Sequence, residues 1–180
     1  MDIYLVRHTQ TTAPPGICYG FSDVPPASDS EMDVVAQKLK HLSSPVVYSS
    51  PLQRCRLLAE RISSDIYFDN RLKELNFGQW EMQSWNDLRG PAVDRWMNDF
   101  VNVPVPGGES YEAMSQRVIA FLNDLLFEKY QKPVVIVTHG GVIRIILARI
   151  RKIALNKSFE ISIPYGAIFN VALTPTDLIE

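Results

Sequence analysis

No run in this chain approaches the roughly 18 uncharged apolar residues that a membrane-crossing helix requires. Cysteine is scarce: Cys18 and Cys55 form no CxxC pair and stand in no Cys/His spacing suited to zinc, so neither a disulfide framework nor a metal site is indicated. An excess of either charge is also lacking. A formal net charge of −2 gives no general attraction to polyanions, so nucleic acid is not an expected partner, and any anion must be held by a local cluster of Arg and Lys. The opening residues Met1-Asp2-Ile3-Tyr4-Leu5-Val6 have neither the basic start nor the long apolar stretch of a secretory signal. The expectation is a cytoplasmic protein with no metal, no cofactor and no membrane partner.

What remains is ordinary globular composition, 46% hydrophobic and 21% charged over 180 residues, enough for one domain spanning residues 1–180. Residues 3–6 form a short apolar run that reads as a buried strand delivering Arg7 and His8 at its C-terminal end. Residues 11–30, rich in Pro, Gly and Ser, read as a loop. Val34, Val35, Leu39 and Leu42 follow at near-helical spacing, and Val46-Val47-Tyr48 reads as a second strand. Ser50 and Pro51 then suit an N-cap and first helical position, which puts Arg54 in the first turn of a helix to about residue 62. Residues 66–68 read as a short edge strand, whereas the stretch on to Gly108 gives little pattern.

Residues 111–130 carry Met114, Val118, Phe121, Leu122, Leu125 and Leu126 at helical spacing, which predicts one long amphipathic helix ending near Lys132-Pro133. The most strand-like run, residues 134–137, ends in Thr138-His139-Gly140-Gly141 and passes directly into a helix. Two last strands are expected at 159–163 and 167–173. Strands alternating with helices predict a three-layer α/β/α sandwich with a mostly parallel central sheet.

Two of only three histidines, His8 and His139, thus follow strong strand signals and fall at one edge of a parallel sheet, where ligands of open α/β sheets bind. Arg7 beside one of them and Arg54 after another strand complete a set suited to a phosphoryl group, because guanidinium donors match phosphate oxygens in pairs. Trp80, Trp85 and Trp96 are expected to be packing residues.

Leu5-Val6-Arg7-His8-Thr9 resembles the hallmark of the histidine phosphatase superfamily, in its phosphoglycerate mutase-like branch. The resemblance continues, in order, through Ser49-Ser50-Pro51-Leu52-Gln53-Arg54, Leu72-Lys73-Glu74-Leu75-Asn76-Phe77-Gly78-Gln79-Trp80-Glu81, Pro106-Gly107-Gly108-Glu109-Ser110 and Val137-Thr138-His139-Gly140-Gly141. It implies hydrolysis of a small-molecule phosphomonoester without a metal, with His8 as nucleophile, Glu74 as proton donor, and Arg7, Arg54 and His139 on the phosphoryl group. Gly140 and Gly141, whose amides start a helix, could add a further anion contact. His8 must be neutral to attack phosphorus, and the two arginines disfavour its imidazolium form. Glu74 must give a proton to the leaving alkoxide and can then activate water.

Two departures stand out. Thr9 occupies the usual Gly, so a glycine-only backbone cannot be assumed there, and Pro14 occupies a frequent Asn, which removes one phosphate contact. With Gly16-Ile17-Cys18-Tyr19-Gly20 and Ser22-Asp23-Val24-Pro25, these resemble the α-ribazole phosphatase branch, which removes a 5′-phosphate in cobalamin nucleotide-loop assembly. Tyr19 then either packs an aromatic part of the substrate or covers the core, and Asp23 is either a substrate contact or a turn residue. A broad-specificity phosphatase, a mutase using the same histidine and a silent phospho-ligand binder are the rival readings. Dedicated mutases of this kind are longer, and the intact set of Arg7, His8, Arg54, Glu74 and His139 argues against silence.

Overall fold

The computed structural model describes residues 1–178. Ten regular elements follow in order: β1 (Asp2–Arg7), α1 (Asp29–Gln37), β2 (Val46–Ser49), α2 (Gln53–Ala59), β3 (Tyr67–Phe68), α3 (Pro91–Asn98), α4 (Tyr111–Phe127), β4 (Val134–Thr138), α5 (Gly140–Ile150) and β5 (Ile168–Ala172), with 3₁₀ turns between them. The strands form one sheet in the order β3-β2-β4-β1-β5. All pairings are parallel except that of β5 with β1.

Side-chain alternation divides the core between two faces. Ile3, Leu5, Val134 and Ile136 point to the face covered by α4 and α5, while Val6, Val47, Val135 and Val137 point to the face covered by α1 and α2. These two helical layers around one sheet form an α/β/α sandwich. All five residues of β4 are buried, which is why its sequence is apolar without alternation. Among the described residues no helix is long and apolar enough to cross a membrane.

Several boundaries differ from the sequence expectation. α1 begins inside the stretch read as loop, where Ser28 Oγ accepts from Glu31 N–H at 3.3 Å as an N-cap. α2 begins at Gln53, two residues later than Pro51 suggests, because Ser50 is engaged by His139, and the helix start is capped from outside by Asp23. α3 fills part of the stretch without pattern, entered through Gly90 at φ 104° and Pro91 at its first position. α4 stops at Phe127, several residues short of Lys132-Pro133, and Lys129 adopts φ 52°.

The tail needs the largest correction. Residues 159–163 are not a strand: Leu155–Glu160 is a 3₁₀ turn, and the carbonyls of Ile161 and Ile163 accept from the guanidinium groups of Arg144 and Arg7 instead of a strand partner. Only β5 remains of the expected pair. Its turn from residues 164–166 is held beside the sheet end by Gly166 N–H donating to the His8 carbonyl at 3.1 Å.

Candidate active site

The carboxyl ends of β1, β4 and β2 lie side by side, with Arg7 opposite Thr138 and Ser49 opposite Val137. His8 and His139 each follow one of these ends, so strand register alone brings their rings to 5.2 Å between centroids. Both are buried. His8 Nδ1 lies 2.7 Å from the Thr9 carbonyl, which can only accept, so Nδ1 carries the hydrogen and the lone pair sits on Nε2. Thr9 is not among the residues with positive φ, so the backbone there does not need the conformation that glycine allows.

Burial is the main reason that the pKa of His8 is lowered well below 6.5, with Arg54 and then Arg7 adding to it against the opposing Thr9 hydrogen bond. Burial and Arg54 lower that of His139 in the same way. The unfolded chain therefore takes up two protons below about pH 6.5 that the folded protein refuses. Stability should fall as the pH drops from that value, by roughly 2 to 3 kcal/mol per unit for two such histidines. Urea midpoints measured between pH 7 and pH 5 check this; a flat profile would contradict two buried neutral imidazoles.

Arg54, in the first turn of α2, is completely buried. Its Nε–H donates to His139 Nδ1 at 3.3 Å, Nη1 to the Ser22 carbonyl at 2.9 Å and Nη2 to the Gly20 carbonyl at 2.6 Å. Three of five N–H groups are used, which leaves one on each terminal nitrogen for the cavity that Arg54 lines. Arg7 bonds the Ile163 carbonyl through Nη1, lies 3.9 Å from the centroid of the Tyr165 ring, and keeps a buried Nε with no hydrogen-bond partner among the described residues.

Glu74 reaches this centre from the least patterned part of the sequence. Its Oε2 accepts from Gly141 N–H at 3.2 Å and its Oε1 from Leu75 N–H at 3.0 Å. A Cβ on residue 141 would stand 2.2 Å from Oε1, so glycine is required for the carboxylate to lie on the start of α5. Arg117 holds the backbone in place, donating to the carbonyls of Arg71, Lys73 and Glu74 while paired with Glu109 at 2.6 Å. Glu81 does the same for the loop over Arg54, accepting from Phe21 N–H at 2.7 Å, Ser22 N–H at 2.5 Å and Phe77 N–H at 3.1 Å. The sequence singles out neither Glu81 nor Arg117, although Glu81 and Glu109 stand in two of the ordered blocks.

A cavity of about 280 Å³ opens above these groups, lined by Arg7, His8, Arg54, Glu74, Gly141 and Arg144 at its polar end and by Tyr19, Phe77, Trp85, Tyr111, Phe159 and Tyr165 around it. Tyr19 and Tyr165 share a hydrogen bond between hydroxyls at 3.0 Å. Trp80 and Trp96 are packing residues as expected, whereas Trp85 is partly exposed on the cavity wall.

Three residues expected as ligand contacts do not line this cavity. His139 is behind the wall, its Nε2 bonded to Ser50 Oγ at 2.8 Å and its Nδ1 to Arg54, so it supports Arg54 from below. Gly140 is also off the wall, and the amide of Gly141, the second residue of α5, goes to Glu74. The Asp23 carboxylate accepts from Gln53 N–H at 2.7 Å and caps α2, outside the cavity. Pro14 is likewise outside it, in a separate depression with Asp23.

The sequence pattern that defines the histidine phosphatase superfamily (branch 1) matches residues 3–177. The chain belongs to this superfamily. Adenosylcobalamin/alpha-ribazole phosphatase of Escherichia coli K12 is 32% identical over 161 residues, covering 83% of this chain and 79% of that protein. A protein of Hydrogenobacter thermophilus, provisionally named phosphoserine phosphatase 2, is 30% identical over 179 residues, covering 94% and 88%. The crystal structure of the alpha-ribazole phosphatase from Shigella flexneri has a TM-score of 0.89 at 25% identity, covering 97% of this chain and 92% of that one. This histidine phosphatase is therefore an enzyme of phosphomonoester hydrolysis, and its relatives bear different substrate names.

Proposed function

We propose that this histidine phosphatase hydrolyses α-ribazole 5′-phosphate through a phosphohistidine on His8 Nε2. The observation that carries the substrate is the cavity wall: Tyr19, Phe77, Trp85 and Tyr165 surround the approach to His8 with flat apolar surface. Such a wall suits a leaving group that bears an aromatic base, since ring pairs contribute about 0.5 to 1.5 kcal/mol each beyond area burial. A small zwitterion such as phosphoserine would gain little from it.

His8 Nε2 attacks phosphorus, the bond to the ester oxygen breaks, and Glu74 gives that oxygen its proton. Arg7 and Arg54 hold the equatorial oxygens as charge gathers on them, with no reorganisation required at that moment. The Glu74 carboxylate then takes a proton from water, whose oxygen attacks the phosphohistidine, releasing phosphate and restoring neutral His8.

A comparison of phosphomonoesters in the presence of a chelator tests this. α-Ribazole 5′-phosphate should exceed phosphoserine and 3-phosphoglycerate in kcat/KM by roughly tenfold or more, the value of two ring contacts. Preference for phosphoserine, or isomerisation that depends on a bisphosphate activator, would overturn the substrate assignment.

A further inference from the structure

We propose that Arg144 is a third guanidinium of the phosphoryl site, donating to the same oxyanion as Arg7. This rests on the reading that the phosphoryl group sits at His8.

Arg144 lies one turn into α5, the only charged residue between Gly140 and Ala148, and it lines the catalytic cavity. Its Nε–H donates to the Ile161 carbonyl at 3.1 Å. Arg7 donates to the carbonyl of Ile163, two residues along the same segment, so one stretch of backbone aims both guanidinium groups. A Cβ placed on Gly140 would stand 3.2 Å from Arg144 Nη1 and 3.5 Å from both Nε and Cζ of Arg7. Two like charges therefore flank one point, a costly arrangement when partly buried.

Neither arginine forms an ion pair with a carboxylate among the described residues, although Arg56, Arg61, Arg71 and Arg117 all do. Arg7 Nε is buried with no hydrogen-bond partner among the described residues. The Arg144 guanidinium, anchored through Nε and lying 5.1 Å from the Phe159 ring centroid, makes no hydrogen bond from its terminal nitrogens to a described residue. A tetrahedral oxyanion between them would relieve the repulsion and fill the vacant donors together. Arg144 shares the cavity wall with Arg7 and Glu74, and burial pulls its pKa down while Glu74 opposes the change.

The test is calorimetric titration of inorganic phosphate into the wild-type protein, Arg144→Lys and Arg144→Gln, with thermal melting of each. Lysine can keep the bond to the Ile161 carbonyl but loses the fork, so a purely structural arginine would leave phosphate affinity intact in that variant. The proposal expects phosphate to bind both variants about tenfold or more weakly, the value of a charge-assisted hydrogen bond. It expects the Lys variant to melt close to wild type. Unchanged phosphate affinity in Arg144→Lys overturns it, whether or not Arg144→Gln folds. If wild type itself binds no phosphate, or if His8→Ala retains turnover, the reading of the site fails and the role of Arg144 fails with it.

Discussion

Replacing His8 with alanine is expected to lower phosphomonoester turnover by about 10⁴-fold or more, the usual scale for losing a covalent nucleophile. No neighbour can take its place. His139 stands 5.2 Å away, ring to ring, but both of its nitrogens are engaged, one by Arg54 and one by Ser50. The Cys55 thiol is the other candidate nucleophile nearby, 3.5 Å from His139 Nε2, yet burial pushes its pKa up to about 12, so it has almost no thiolate at neutral pH. The second readout is the intermediate. Rapid quenching of the wild-type enzyme with labelled substrate should trap a phosphate that survives alkali and is lost in acid, as a phosphoramidate is, and mapping should place it on Nε2 because Nδ1 bonds the Thr9 carbonyl. Label at another residue, or turnover that persists in the variant, would remove His8 from the mechanism.

The parts legible in the sequence are those set by short-range pattern. Ile3 to Val6 and Val134 to Val137 announce buried strands by composition, and the residues after each run are then placed by sheet geometry. Arg7, His8 and His139 are found in this way, and Arg54 from the strand and helix around it. The parts that were not legible depend on partners far along the chain. Arg7 meets the Ile163 carbonyl across 156 positions, and Phe21 meets Glu81 across 60.

A residue such as Arg144 looks in sequence like an ordinary helical cation, because periodicity does not report that its turn faces a cavity rather than water. Residues 161–163 read as a strand for a related reason. The segment is apolar at Ile161 and Ile163, but its carbonyls serve arginines, and side-chain pattern is silent on where backbone groups bond. Glu74 was visible only through the block that surrounds it, since its position depends on the bare Cα of Gly141.

Substituting Arg54 with methionine, which keeps much of the side chain's length and removes its charge, should have the second large effect and separates its two duties. The fork loses the N–H groups left toward the cavity, so under the proposed phosphate role kcat/KM should fall by about 10³-fold, comparable to deletion of a preorganised donor at a developing charge. The fold also loses the donor shared by the Gly20 and Ser22 carbonyls and by His139 Nδ1, all reached from the buried Arg54. Unpaired acceptors cost about 1 to 3 kcal/mol each, while removing a buried charge offsets part of that, so melting should drop by less than the sum. The decisive measurement is the protonation of His8. Arg54 is the largest charge holding that imidazole neutral, after burial itself, so the variant's His8 should accept a proton at a higher pH than wild type. Long-range ¹H–¹⁵N NMR titration reads this directly. Arg54→Lys should restore most of the shift while leaving much of the activity missing, because a lysine supplies the charge without the paired donors. If His8 titrates identically in wild type and Arg54→Met, burial and Arg7 set its state, and Arg54 acts only through its hydrogen bonds.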